Sequence, residues 1–339
     1  MVVLSREIHL AARPVGLPSS DDFVVREVEL SPPAEGEVLV RNDWMSVDPA
    51  MRGRMRDVLS YVAPFGVGEV MAGGAVGTVV QSRSIGLSVG DHVVHRLGWR
   101  ELAVGPAEAF QRIESGDLST SHHLGVLGMP GLTAYVGLAR IAAVEPGDVV
   151  LVSAAAGAVG QVAARVARHL GAVAVVRSTG GPVKAARLTE ELGYDRAIDY
   201  RAAPIEQGVR DTVPEGIDVY FDNVGGDHLR AALMHLNMHG AVALCGAVSQ
   251  YNCESRPMAP DHLSLAISKR LRLQGFIVSD HDDMRDEWVD LATGWIADGS
   301  LRTPQTVYEG IDSAVDAFIG MLSGANTGKT LVRLAADAA

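Results

Sequence analysis

A chain of 339 residues is long enough for two domains, and 47% hydrophobic with 21% charged content is ordinary for a soluble globular protein. A formal net charge of −12 argues against nucleic acid and anionic membrane surfaces as partners. Two cysteines, Cys245 and Cys253, are too few for a disulfide framework. Met1 to Pro14 carries charges throughout and has no apolar core, so no signal peptide is expected and the cytoplasm is the expected location. The longest weakly charged stretch, Leu124 to Val144, contains Pro130, several glycines and Arg140. It reads as a loop and a buried helix, not a membrane span.

From Met1 to about His122 the chain is β-rich. Glu37 to Asn42, Ala75 to Val80 and Asp91 to His95 read as short strands punctuated by Gly and Pro, the pattern of a small barrel or sandwich. No helical period is sustained there. The character changes near Leu124. Met129 to Leu138 leads into a short apolar helix, and Glu145-Pro146-Gly147-Asp148 is a turn. Strands and helices then alternate, which is the pattern of a parallel sheet covered on both faces.

The central stretch begins at Val149. Val149 to Val152 is an apolar, β-branched run and reads as a buried parallel strand. The chain then breaks at small residues, and from Ala158 it turns helical through Val162, Val166 and Leu170 until Gly171. The turn reads A-x-G-x-x-G, with Ala155 in place of the usual first glycine. Strand, tight turn and helix open a dinucleotide-binding unit. Ala156, Gly157, Ala158, Val159 and Gly160 are therefore expected to hold a pyrophosphate at a helix N-terminus, with Gly160 letting helix and strand sit close.

The later elements follow in order. Strands are expected at Ala172 to Val176, Arg196 to Tyr200, Ile217 to Phe221, Ala241 to Val248 and Leu271 to Val278. Helices are expected from about Pro182 to Leu192 and around Leu229 to Leu236. The tail holds an amphipathic helix, Ile311 to Leu322, and a strand, Lys329 to Leu334, that has no βαβ partner and is free to return to the first domain. The expected division is a first domain over 1–122, a doubly wound parallel-sheet domain over 123–303, and a returning tail over 304–339.

The second strand of such a unit usually ends in an acid that holds the adenosine ribose hydroxyls of NAD. Here it ends in Val175-Val176-Arg177-Ser178. Arg177 would meet a 2′-phosphate with a planar, permanently charged fork, and Lys184 adds a second cation, so NADP is favoured over NAD. Zinc is not expected. The first domain has no cysteine, His92 and His95 face opposite sides of a strand, and His122-His123 is an isolated pair. Two further strand ends carry small and polar residues, Phe221 to Gly226 and Cys245 to Asn252. The second presents the hydroxyl of Tyr251 at the cofactor edge, where ligands bind in such sheets.

Across nearly its whole length the chain resembles the zinc-independent medium-chain dehydrogenase/reductase superfamily. It is most similar to the NADPH-dependent alkene-reductase branch of prostaglandin, alkenal and curcumin reductases. The resemblance is carried by Val47 to Met55 (VDPAMRGRM), Gly128 to Leu138 (GMPGLTAYVGL), Ser153 to Gly160 (SAAAGAVG), Tyr220 to Gly226 (YFDNVGG), Cys245 to Asn252 (CGAVSQYN), Leu273 to Val278 (LQGFIV) and Asn326 to Val332 (NTGKTLV). It implies a GroES-like N-terminal domain that takes back the tail, around a Rossmann domain, and a homodimer. It also implies that Lys184 binds the 2′-phosphate, with Tyr200, Arg177 and Ser178 near the adenosine end. Asn326 would contact the cofactor from the tail. Asn223, Cys245, Gly246, Phe276, Ile277 and Val278 would position the ribose and nicotinamide, and Tyr251 would sit beside a substrate carbonyl. The family reads D-P-Y-M-R where this chain has Ala50. Tyr61 is a candidate to fill the space on that side of the substrate site.

The expected reaction is a metal-free reduction of the C=C bond of an α,β-unsaturated ketone or aldehyde. Hydride passes from NADPH to the β-carbon, while Tyr251 and the cofactor ribose hydroxyl steady the developing enolate. Two alternatives share the scaffold: an NADPH-dependent quinone reductase, and a catalytically silent NADPH-binding regulator.

Overall fold

The structure, a computed structural model, describes residues 2–58, 60–114, 116, 118–182, 192–254 and 262–334. The chain divides into two compact units. The first takes Met1–Leu124, Gln305–Asn326 and Thr330–Ala339, and the second takes Gly125–Pro304 and Thr327–Lys329.

In the first unit β1 (Val3–Leu10) and β2 (Phe23–Leu30) pair antiparallel. A larger sheet is organised on β3 (Glu37–Ser46), which pairs antiparallel with both β4 (Ala75–Ser82) and β6 (Leu102–Pro106). Beyond β4 come β5 (His92–His95) and, at the edge, β7 (Gln111–Arg112). β3 extends four residues beyond the expected Asn42, because Trp44, Met45 and Ser46 continue its buried face. One short helix, α1 (Ala50–Arg54), follows it.

The second unit is a six-stranded parallel sheet. Its strands are β8 (Val149–Val152), β9 (Ala174–Thr179), β10 (Arg196–Asp199), β11 (Ile217–Asp222), β12 (Leu236–Leu244) and β13 (Arg272–Gly275). The order across the sheet is β10-β9-β8-β11-β12-β13, so the winding reverses between β8 and β11. Every residue of β8 and β9 is buried, as expected for strands covered on both faces. The helices are α2 (Met129–Val136), α3 (Gly160–His169), α4 (Ile205–Thr212), α5 (Gly226–His235), α6 (Ser264–Lys269) and α7 (Arg285–Ala297). One core joins Leu151, Val176, Ile198 and Tyr220 of the sheet to Ile205, Val209 and Leu233 of α4 and α5. Each such side chain contributes about 1.5–3 kcal/mol on burial.

Three strands of this sheet differ from their expected bounds in ways that bear on the site. β9 runs to Thr179, which draws Arg177 into the sheet. β12 starts five residues early, at Leu236, passes the left-handed His239 (φ 67°) and ends at Leu244, so Cys245 to Val248 leave the sheet. β13 ends at Gly275, and Phe276 to Val278 also leave it. Of the helix expected over 182–192, residues 183–191 lie outside the described residues.

The tail re-enters the first unit as β14 (Gln305–Glu309), α8 (Ala314–Leu322) and β15 (Lys329–Arg333). β15 lies antiparallel to β3, with Val332 opposite Met45. Ala314, Ala317, Phe318 and Met321 recur at helical spacing and enter the core with Met45 and Trp99.

Candidate active site

The winding reversal puts the carboxyl ends of β8 and β11 side by side, and that is where such sheets receive ligands. Past β8 the chain bends through Ala154 (φ 49°), and the Gly157 N–H closes a turn onto the Ala154 carbonyl at 2.9 Å. Gly160 then starts α3. A Cβ there would lie 2.5 Å from the Cα of Ala155 and 2.7 Å from the Ala154 oxygen, so only glycine lets the helix start this close to the strand. The Tyr194 hydroxyl donates to the Gly160 carbonyl at 2.5 Å and fixes the first turn from below. No side chain caps α3 at Val159. The Gln161 and Val162 N–H groups turn back onto the Gly157 and Val159 carbonyls at 3.0 and 3.1 Å, and it is the positive dipole end of α3 that suits an anion; Gly157, Ala158 and Val159 are partly exposed while Ala156 is buried. The Gly328 N–H donates to the Ala156 carbonyl at 2.7 Å and Gly328 bridges Gly157, so this piece of the tail packs against the loop. Asn326 stands two residues earlier, between α8 and β15.

At the end of β9 the structure places Arg177 two residues inside the strand. Arg177 does not present its fork at the strand end. It lies opposite Val152, the last residue of β8, and Ala197 of β10, and is fully buried. Its guanidinium carbon is 5.6 Å from the centre of the Tyr194 ring, and burial lowers its pKa to about 10. Ser178 is also fully buried, its carbonyl accepting the Ala155 N–H at 3.3 Å. Lys184 lies outside the described residues. Tyr200 is 41% exposed, and its ring meets His228 edge-on at 5.2 Å. Burial pulls the His228 pKa down to about 4, so this imidazole is neutral. Sequence reasoning missed Arg201, the cation directly after Tyr200. A Cβ on Gly180 would touch the Tyr200 hydroxyl at 2.8 Å and the Arg201 Nε at 2.9 Å.

The ends of β11 and β12 are built on Asp222. Its buried carboxylate Oδ1 accepts the Tyr220 hydroxyl at 2.7 Å and the N–H groups of Val224 and Gly225 at 3.0 and 2.8 Å. Its backbone carbonyl accepts the Cys245 and Gly246 N–H groups, both at 2.9 Å. Burial raises its pKa against the pull of these donors. Asn223 ties the end of β11 to the end of β8: its side chain donates to the Ser153 carbonyl at 2.8 Å, and its N–H donates to the Ser153 hydroxyl at 2.9 Å.

Beside this platform is a groove of about 630 Å³. It brings together Cys245, Gly246, Tyr251, Phe276 and Ile277, all singled out in the sequence, and Val278 follows at the start of a 3₁₀ turn. A Cβ on Gly246 would lie 3.6 Å from the Tyr251 hydroxyl, ordinary van der Waals contact, so that hydroxyl sits next to the Cys245-Gly246 turn. The Cys245 thiol is pushed up to about 12 by burial and by Asp222, and it stays protonated at neutral pH. The groove therefore offers a hydroxyl and backbone groups but no thiolate nucleophile.

In the first unit Ala50 opens α1 and is exposed, over the buried Met51 and Arg52. Tyr61 is 66% exposed. Among the described residues no group of three His, Cys, Asp or Glu side chains could hold a metal ion, and no helix is long and apolar enough to cross a membrane.

Residues 6–113 match the family model described as the N-terminal domain of oxidoreductase, and residues 158–294 match the one described as zinc-binding dehydrogenase. The NADPH-dependent curcumin reductase of Escherichia coli is 37% identical over 97% of this chain and 96% of its own. The NADP(+)-dependent 2-alkenal reductase of Nicotiana tabacum is 34% identical over 99% of both chains. The crystal structure of CurA from Vibrio vulnificus in complex with NADPH superposes with a TM-score of 0.92, at 38% identity, covering 98% of this chain and 99% of that one.

Proposed function

The chain belongs to the medium-chain dehydrogenase/reductase family, among the NADP-dependent alkenal and curcumin reductases, and we propose that it reduces the conjugated C=C bond of an enone or alkenal with NADPH. The observation that carries this reading is the groove beside the ends of β11 and β12, lined by Gly246, Tyr251, Phe276 and Ile277, with the Tyr251 hydroxyl next to Gly246.

The residues present fit the cofactor. The uncapped N-terminus of α3 suits a diphosphate, and Gly160 gives the helix its close seat on the strand. When bound, NADPH supplies a hydride for the β-carbon of the conjugated bond. The chain's own task is to manage the charge that then grows on the substrate carbonyl oxygen. Tyr251 carries a hydroxyl, and a hydroxyl donor aimed at that oxygen favours the transition state over the ground state. Asp222 holds the Val224, Gly225, Cys245 and Gly246 N–H groups, so the loop leading to Tyr251 is fixed before substrate arrives. Solvent protonates the α-carbon, and the protonated Cys245 thiol stays out of the chemistry.

The test is an NADPH-oxidation screen over enones, alkenals and quinones with product analysis. Saturated ketones or aldehydes from the conjugated substrates support the proposal. Turnover of quinones alone, or of nothing, contradicts it.

A further inference from the structure

We propose that Arg201, not Arg177, is the arginine that recognises the 2′-phosphate of NADPH and so sets the preference for NADPH over NADH. This rests on the NADPH reading above.

The two arginines stand in opposite environments. Arg177 lies within β9, fully buried on the Tyr194 side, with neighbouring strands on both edges. A phosphate dianion cannot reach it without being stripped of water. Arg201 lies just past β10 and is exposed. It makes no ion pair among the described residues, whereas Arg168 and Arg196 of the same unit are each paired with a carboxylate.

The parallel pairing of β9 and β10, Thr179 opposite Asp199, brings the two strand ends level. Asp199 then clamps the turns together. Its carboxylate Oδ1 accepts the Gly181 N–H at 2.8 Å and the Arg201 N–H at 3.0 Å, and its backbone carbonyl accepts the Ala202 N–H at 3.1 Å. The Tyr200 N–H adds a bond to the Thr179 carbonyl at 3.2 Å. Because Gly180 has no side chain, the Tyr200 hydroxyl and the Arg201 Nε both reach the space its Cβ would fill, at 2.8 and 2.9 Å. Two donors, one permanently charged, thus converge on the first residue past β9, the position from which such units address the adenosine ribose. The Asp199 charge is already engaged by two backbone N–H groups. A guanidinium fork beside a phenol hydroxyl matches a phosphate dianion and has no special match for the neutral hydroxyl of NADH.

The test measures dissociation constants by fluorescence titration of the whole protein with NADPH, NADH and 2′,5′-ADP. Arg201→Gln should weaken NADPH and 2′,5′-ADP by about tenfold or more and leave NADH unchanged. Arg201→Lys, which keeps the charge but not the fork, should fall between. The unchanged NADH affinity certifies that the variant is folded. If Arg201→Gln keeps the NADPH affinity, or loses NADPH and NADH equally, Arg201 does not touch the 2′-phosphate and this inference alone fails. If the unaltered protein binds NADPH no better than NADH, the cofactor reading fails and takes the inference with it.

Discussion

The hydroxyl of Tyr220 donates to the carboxylate of Asp222 at 2.7 Å inside the sheet, two residues apart on the same strand face. That carboxylate also holds the N–H groups of Val224 and Gly225. Asp222→Ala strands all three donors in a buried place and should destabilise the protein by on the order of 3–5 kcal/mol. Asp222→Asn keeps an acceptor oxygen and should cost less. The pH dependence separates the two effects. Burial raises the native pKa of Asp222, so the native state holds the proton more tightly than the unfolded chain. The stability from this group is full below the unfolded carboxyl value, about 3.9, and declines as pH rises through the native value. Asp222→Asn removes that decline. Denaturant melts should show the gap between wild type and Asp222→Asn shrinking as pH rises across that window. A constant gap would mean that Asp222 does not titrate as described.

Gly160→Ala is expected to separate α3 from its strand. The added methyl would meet backbone, the Cα of Ala155 at 2.5 Å, and backbone cannot rotate away. Overpacking of this kind costs about 1–3 kcal/mol. The expected result is a lower melting temperature together with weaker NADPH binding in a fluorescence titration. Wild-type binding would show that the loop tolerates a wider seat.

Tyr251→Phe removes one hydroxyl and keeps the ring. If that hydroxyl steadies the enolate, kcat should fall by about tenfold to a hundredfold, at or below the low end of what one lost oxyanion donor costs, because the cofactor ribose hydroxyl shares the load. NADPH affinity should not change. An unchanged kcat under conditions where chemistry limits turnover would remove Tyr251 from the mechanism.

Ala50 is exposed at the start of α1, where the resembling family has a tyrosine, and Tyr61 is too exposed to act as a packed replacement. Ala50→Tyr restores a ring that can bury about 150–250 Å² against a ligand. The variant should lower KM for a small linear alkenal and raise it for a bulky aryl enone, with kcat moving less. Parallel shifts on both substrates would mean that position 50 does not meet the substrate.

The parallel sheet was legible because buried strands such as Val149–Val152 are unbroken apolar runs bounded by turns. The homing of the tail was legible in Lys329 to Leu334, a strand without a crossover partner, and it pairs with β3. Part of the groove was legible: Cys245 to Asn252 reads as a strand end carrying Tyr251, whereas Phe276 and Ile277, expected inside a strand, were pointed to by the family resemblance alone. The burial of Arg177 was not legible, because an arginine closing an apolar run is far more often exposed at a strand end than buried within the strand. Arg201 was hidden for a related reason. Its approach to Gly180 exists only once β9 and β10 are in register, which no local pattern encodes. The Asp222 clamp was half visible: the period of two puts Tyr220 and Asp222 on one face, but the fold alone supplies the Val224, Gly225, Cys245 and Gly246 donors.

The most direct measurement is the fate of a labelled hydride. The protein would be given NADPH carrying deuterium at the transferable position of the nicotinamide C4, together with an aryl enone, and the product analysed by NMR. The account predicts a saturated ketone with deuterium on the β-carbon and a solvent proton on the α-carbon. Deuterium on the carbonyl carbon of an allylic alcohol, or no NADPH oxidation with any enone or alkenal, would contradict it.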